Sequence, residues 1–216
     1  MSNFTSFAFK ATGGSANRTM PDRLIDVVNV KDWGAVGDGA ADDTTPIRNA
    51  IAYAFVPTNR PNSSRYGSIV YFPPGTYRIT GALNCHQPSG KISLIGAGRS
   101  ASTIIGSING NMIADDTIGQ SGGLACVADL KIWNTSSNSA ARCIYIREIN
   151  NFVIHHCHFI GMNCVNWDAS FDGAMSTTIC ECSAPIGAAD SAAPGAEIWH
   201  GGGIFCGRSN LELPVL

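Results

Sequence analysis

The sequence predicts an all-β chain wound as a stack of parallel coils and entered through one amphipathic helix. Three observations lead there. Gly is frequent, 24 of 216 residues, with 10 Pro and only 14% charged residues, a turn-rich composition with few long polar helices. One apolar pattern of helical period stands between residues 44 and 55. From residue 129 onward, short β segments recur at intervals of 21–25 residues. A length of 216 residues favours one domain with a short appendage.

Residues 1–29 form a polar, Gly- and Ser-containing lead with a short helical possibility at Pro21–Val27, where Pro21 suits a first turn. Thr5, Ser6, Lys10 and Thr12 interrupt its only apolar stretch, so a signal peptide is not expected. No run of 18 apolar residues predicts a membrane-spanning helix. The net charge of −2 comes without any cluster of Lys and Arg, which argues against a nucleic-acid partner.

"VKDWGAVGDGAADDTTPIRNAIAYAF", Val30 to Phe55, is the most conspicuous stretch. Asp32, Asp38, Asp42 and Asp43 lie within twelve residues, which first suggests a catalytic loop. The residues that follow suggest a structural role. Ile47, Ala50, Ile51, Ala54 and Phe55 form the buried face of a helix. Asp42, Asp43 and Thr44 or Thr45 stand where side-chain oxygens cap its first free N–H groups, and Pro46 fits only its first turn. Asp38 and Gly39 belong to a Gly-Asp-Gly turn.

"GSIVYFPPGTYRIT" reads as strand, turn, strand, with Pro74-Gly75 at the centre of a type II turn. "KISLIGAGRSASTII" repeats that form. Its "GAG" lacks the spacing and the following helix of a phosphate loop.

Among the later repeats, "DLKIWNTSS", "NFVIHHCHF" and "STTICECSA" align on Ile132, Ile154 and Ile179, and Ile144 aligns with Val165. Leu130, Ile132, Phe152, Ile154, Thr177 and Ile179 are expected inward, and Trp133, His155 and Cys180 outward. Asn134, His156 and Glu181 are expected at the corners, where Asn tolerates a left-handed bend. The 25 residues from Ile179 to Ile204 exceed the 11 or 12 between successive strands elsewhere, so Gly187–Gly201 is expected to be an insertion. Excursions from a rigid stack are natural binding sites. Asp190, Glu197, Trp199 and His200 there combine an aromatic platform with hydrogen-bonding groups, as a sugar site needs.

Eight cysteines without a signal peptide read as free thiols packed as small hydrophobes. The alternative is a zinc site from Cys157, Cys164, Cys180 and Cys182 with His155, His156 or His158, weakened by the lack of any CxxC pair. The His trio otherwise reads as an outward strand face plus a corner.

The run "VKDWGAVGDGAADDTTPIRNAI…GSIVYFPPGTYRIT…ISLIGAGRSASTII", Val30 to Ile105, resembles the N-terminal module of the pectate-lyase-like superfamily. The resemblance implies a right-handed parallel β-helix over residues 30–216, its open N-terminal end covered by the single helix. "RTMPDRLIDVVNVKDWGA" is similar to the segment leading into the β-helix of bacteriophage tailspikes. It implies attachment to other tail proteins through residues 1–30, a homotrimeric trunk, binding of host-surface polysaccharide, and residence in the virion after assembly in the host cytoplasm; an extracellular location is the alternative. No cofactor or metal is implied, and neither nucleic acid nor membrane insertion.

Catalysis is less defined. Polygalacturonase-type members use an "NxD" motif, an Asp pair, "GHG" and "RxK". This chain has "NWD" (Asn166, Asp168) with Asp172 four residues on, and "WHGGG" with His200, but no "GHG", Asp pair or "RxK". The lyase-type set, Ca²⁺ on acidic side chains with an Arg base, has no evident counterpart. Asp168, Asp172 and Glu197 are the catalytic candidates, and "DASFDG" can equally be a polar loop. Three functional readings follow: a polysaccharide-binding tailspike, a polysaccharide lyase or glycoside hydrolase, and a non-catalytic virion adaptor. "LELPVL" is too short to cap the last coil, so partner copies or further chain are expected to cover it.

Overall fold

A strand that alternates apolar and polar residues must bury its apolar row, and in this chain successive strands do so on three walls around one core. The computed structural model describes residues 8–10, 17–19, 27–55, 66–86, 90–116, 123–138, 140–147, 152–161, 163–168, 177–182 and 204–205. In the lead, β1 (Ala8–Lys10) and β2 (Asn17–Thr19) pair antiparallel. Residues 21–26 of the helical possibility lie outside the described residues. Val27 belongs to β3 (Val27–Asn29), which pairs in parallel with β5, so the stack already includes residues 27–29.

After β3 come a 3₁₀ helix (Val30–Trp33), β4 (Asp38–Asp42) and α1 (Thr44–Phe55). Then the chain cycles. β5 (Tyr66–Phe72), β8 (Lys91–Gly96), β11 (Gly123–Ala128), β14 (Phe152–His155), β17 (Thr177–Cys180) and β18 (Ile204–Phe205) join β3 in a seven-stranded sheet. β6 (Gly75–Ile79), β9 (Ser102–Gly106), β12 (Lys131–Asn134) and β15 (His158–Ile160) join β4 in a five-stranded sheet. β7 (Leu83–Asn84), β10 (Asn111–Asp116), β13 (Arg142–Arg147) and β16 (Asn163–Asp168) form a four-stranded sheet. Every pairing within these three sheets is parallel. Each coil visits the three walls in turn and rises about 4.8 Å, the spacing of paired strands.

The core is built of columns. Val28, Val70, Leu94, Val127 and Ile154 stack in register on one wall, and the pairing continues to Ile179 and Phe205. Tyr77, Ile104, Ile132 and Phe159 stack on the second wall and are at most 1% exposed. Fully burying one such aliphatic or aromatic side chain is worth roughly 1.5–3 kcal/mol. Helix α1 buries Ile47, Ala50, Ile51, Ala54 and Phe55, the predicted face, over the first coil.

The register corrects the repeat alignment. Ile154 does pair with Ile179, and Ile144 with Val165. Ile132, however, pairs with Ile104 and Phe159 in a different sheet, and Val127 is the partner of Ile154. The corner residues shift accordingly. Among the described residues other than glycine, the left-handed positions are Asp129 (φ 55°), His156 (φ 52°) and Glu181 (φ 52°). Asn134 instead closes β12, 2% exposed, because its amide is needed there. It donates to the carbonyls of Ile108 (3.0 Å) and Arg142 (3.2 Å) and accepts from the N–H groups of Ile108 (3.1 Å) and Ser136 (3.2 Å).

Two further expectations change. Phe205, not a second strand of the same coil, follows Ile179 on the same wall, 26 positions later. The preceding step, Ile154 to Ile179, is 25; Gly187–Gly201, expected as an insertion, lies outside the described residues. Gly75 does not have the positive φ of a type II turn. It opens β6 where a Cβ would stand 2.8 Å from the carbonyl oxygen of Gly37, so close approach of backbone, not turn conformation, requires glycine.

Candidate functional site

The acidic stretch at the entry is committed to holding the fold. The Asp43 carboxylate, 1% exposed, accepts the N–H groups of Val36 (2.7 Å) and Gly37 (3.0 Å). It thus ties the preceding loop rather than capping α1, while its carbonyl accepts the first helical bond from Ile47. Asp42 does the capping: Oδ1 accepts the Thr44 N–H at 3.0 Å and Oδ2 accepts the Thr80 hydroxyl at 2.7 Å. Hydrogen bonds from the Thr44 and Thr80 hydroxyls, chiefly, hold its pKa down at about 2. Asp38 accepts from the N–H groups of Ala41 and Ala40, both at 2.8 Å, and these lower its pKa too. Gly39, at φ 80°, lets the chain turn beside it. Pro74 lies between β5 and β6, its carbonyl accepting from the Lys31 ammonium at 3.4 Å.

The cysteines behave as core. Cys85, Cys143, Cys157 and Cys182 are buried and Cys126 is half-buried, all as free thiols. The Cys157 thiol donates to the carbonyls of His155 (3.4 Å) and Val127 (3.6 Å), and burial pushes its pKa up. Among the described residues no three His, Cys, Asp or Glu side chains converge as a metal site; the side chains of Cys164 and Cys180 lie outside them. His155 and His158 lie on outward strand positions and His156 on the corner, where its Nε2 meets the Glu181 carboxylate.

Of the predicted site residues, Asp172, Asp190, Glu197, Trp199 and His200 lie outside the described residues. Asp168 ends β16, and there the register brings chemistry together that sequence spacing did not show. Asp116, Arg147 and Asp168 are paired positions on three successive strands of the four-stranded sheet. Beside them runs the row Asn84, Ala114, Tyr145 and Asn166. Tyr145, half-buried between buried Ile144 and Ile146, marks the outer face of β13. An arginine between two aspartates, 31 and 21 positions away along the chain, becomes visible only when the coils are paired.

A family model, "Rhamnogalacturonase A/epimerase, pectate lyase-like", matches residues 27–179. The chain belongs to this pectate-lyase-like family. Its matched region begins at Val27, as the sheet does, and ends at Ile179 in β17. Curated relatives include the mannuronan C5-epimerases AlgE2 and AlgE3 of Azotobacter vinelandii. AlgE2 is 36% identical over 80 residues, 35% of this chain and 7% of the epimerase. AlgE3 is 30% identical over 152 residues, 67% of this chain and 6% of the epimerase. The chain thus spans less than a tenth of the length of these two relatives.

Solved structures show the same fold. Geobacillus virus E2 ORF18 superposes with a TM-score of 0.54 at 23% identity, over 75% of this chain and 37% of that one. The AlgE4 A-module of Azotobacter vinelandii gives 0.52 at 21% identity, over 73% and 44%. The pectate-lyase-like fold is thereby fixed, and a phage protein stands among its structural neighbours.

Proposed function

We propose that this pectate-lyase-like chain is a tailspike-type virion protein that binds host-surface polysaccharide and processes it at Asp116, Arg147 and Asp168. The observation that carries the reading is the backbone register that pairs positions Asp116, Arg147 and Asp168 on the four-stranded sheet. Strands two apart are separated by about 9–10 Å. Inverting glycoside hydrolases hold their two carboxyl groups about 6.5–9.5 Å apart, with room for a water. An arginine between them suits the carboxylate of a uronic acid, which it can grip through two N–H donors. The mannuronan epimerases among the relatives support a uronic-acid polymer as the substrate class. The lead resembling tailspike entry segments and the phage neighbour support the virion setting. Attachment through residues 1–30 and a homotrimeric trunk complete the proposal.

The test is turnover of polygalacturonate, polymannuronate and host capsule by the full chain. Reducing ends report hydrolysis, absorbance of unsaturated ends reports elimination, and deuterium uptake at C5 from heavy water reports epimerisation. Asp168→Asn should lower the rate by about 10²–10⁴, the usual contribution of a positioned acid or base, with an unchanged melting temperature. Binding without turnover of any polymer would reduce the role to adhesion. Neither binding nor turnover would leave a structural adaptor.

A further inference from the structure

The outer face of the five-stranded sheet carries a second pattern, away from the Asp116, Arg147 and Asp168 row. Two columns run up it in register. One is Thr76, Thr103, Lys131 and His158, and the other is Arg78, Ile105, Trp133 and Ile160. All eight are exposed or half-buried, between inward neighbours that are buried. None is acidic, so on a chain of net charge −2 these four strands present Arg78 and Lys131 without an outward carboxylate of their own. The adjoining strand carries two acids, Asp38, the register partner of Thr76, and Asp42, that of Arg78. The Lys131 ammonium lies 5.1 Å from the centre of the Trp133 ring, which holds a cation against an aromatic platform. His158 is kept below its usual pKa by burial, then by Lys131 and Arg99, and so is a neutral hydrogen-bonding group at pH 7.

A groove of about 310 Å³ adjoins the second column, lined by Arg78, Thr80, Ile105, Ser107 and Thr135 among others. Thr80, Ser107 and Thr135 each follow the paired strand ends Ile79, Gly106 and Asn134, so they place one hydroxyl per coil. The coil rise of about 4.8 Å is close to the rise per residue of an extended pyranose chain. A groove of this size with hydroxyls and one cation, beside the Trp133 ring on the neighbouring coil, fits sugar rings, whose CH faces need apolar surface and whose hydroxyls need partners. Like charge makes a second copy of the same face a poor occupant.

We propose that this face is a separate, non-catalytic binding surface for an acidic sugar chain, lying along the coil axis from the Arg78 groove across Lys131 and Trp133. Titration calorimetry of the full chain with hexagalacturonate and hexamannuronate tests it, with cellohexaose and an oligodeoxynucleotide of equal charge as comparisons. At least one acidic hexamer should bind, more tightly than either comparison and more weakly as salt rises. Lys131→Gln with Trp133→Ala should weaken that binding at least tenfold, while Lys31→Gln, which removes an exposed cation from the entry segment, leaves it within twofold. Lys131→Gln alone, which keeps the aromatic packing, should weaken it in the same direction if the double variant does not fold. The proposal falls if neither acidic hexamer binds, if cellohexaose or the oligodeoxynucleotide binds as well, or if Lys31→Gln weakens binding as much as the double variant does.

Discussion

Asp42 and Asp43 are adjacent in sequence and hold different parts of the molecule. Asp43 is buried with two N–H groups on its carboxylate, so Asp43→Ala leaves both donors unsatisfied. It should cost about 2–3 kcal/mol in denaturant unfolding, more than Asp42→Ala at about 1 kcal/mol for a lost cap. Asp42 makes stability acid-sensitive. Its folded pKa is depressed from 3.8 to about 2, so its contribution is complete above pH 4 and is lost as pH falls from about 4 to about 2. Thermal unfolding across that window should show a shallower acid limb in Asp42→Asn than in the parent. The sequence predicted that both carboxylates serve the helix start, which holds for Asp42, whereas the Asp43 carboxylate ties the loop before it. It did not show which one caps, because that depends on Thr80 and on the loop at Val36 and Gly37, brought near only by folding.

At the scale of the element, the coil repeats because inward columns match. Ile104 stands between Tyr77 and Ile132 with no exposure, so Ile104→Ala should cost about 2–5 kcal/mol, read as a shifted denaturant midpoint. The corners follow a different rule. Asp129, His156 and Glu181 adopt the left-handed conformation although none is glycine or asparagine. Non-glycine residues there carry strain of roughly 1–2 kcal/mol. Asp129→Gly should therefore relieve part of it and raise the melting temperature. The helix was legible to the residue because its apolar period is local. The corners were not, because any residue can be forced left-handed when strands on both sides fix its place, and composition leaves no mark of that. Asn134 had the expected residue type for a corner, yet its four hydrogen bonds place it elsewhere.

For the whole molecule, the tailspike proposal predicts a mass three times 22.7 kDa by light scattering, and a monomer would count against it. The site proposal predicts that Arg147→Ala and Asp168→Asn fall together in turnover while melting temperatures stay fixed. The chemistry-bearing row was only one-third legible: Asp168 was identified through "NWD", whereas Asp116 and Arg147 belong to other coils and share no local motif with it. Gly187–Gly201 lies outside the described residues, between the paired positions Ile179 and Phe205.

What the sequence determined by itself is the architecture: local periodicity set the helix, the Gly-Asp-Gly entry and the strands, and the match from Val30 to Ile105 set the parallel β-helix. Those properties depend on neighbours a few residues apart. What tertiary structure alone decided is the register between coils. It chose Val127 rather than Ile132 as the partner of Ile154, aligned Asp116 with Arg147 and Asp168, and gathered Arg78, Lys131 and Trp133 on one face. The physical reason is that parallel strands joined by loops of unequal length carry no local signal of their pairing. Only the simultaneous burial of every inward column selects it.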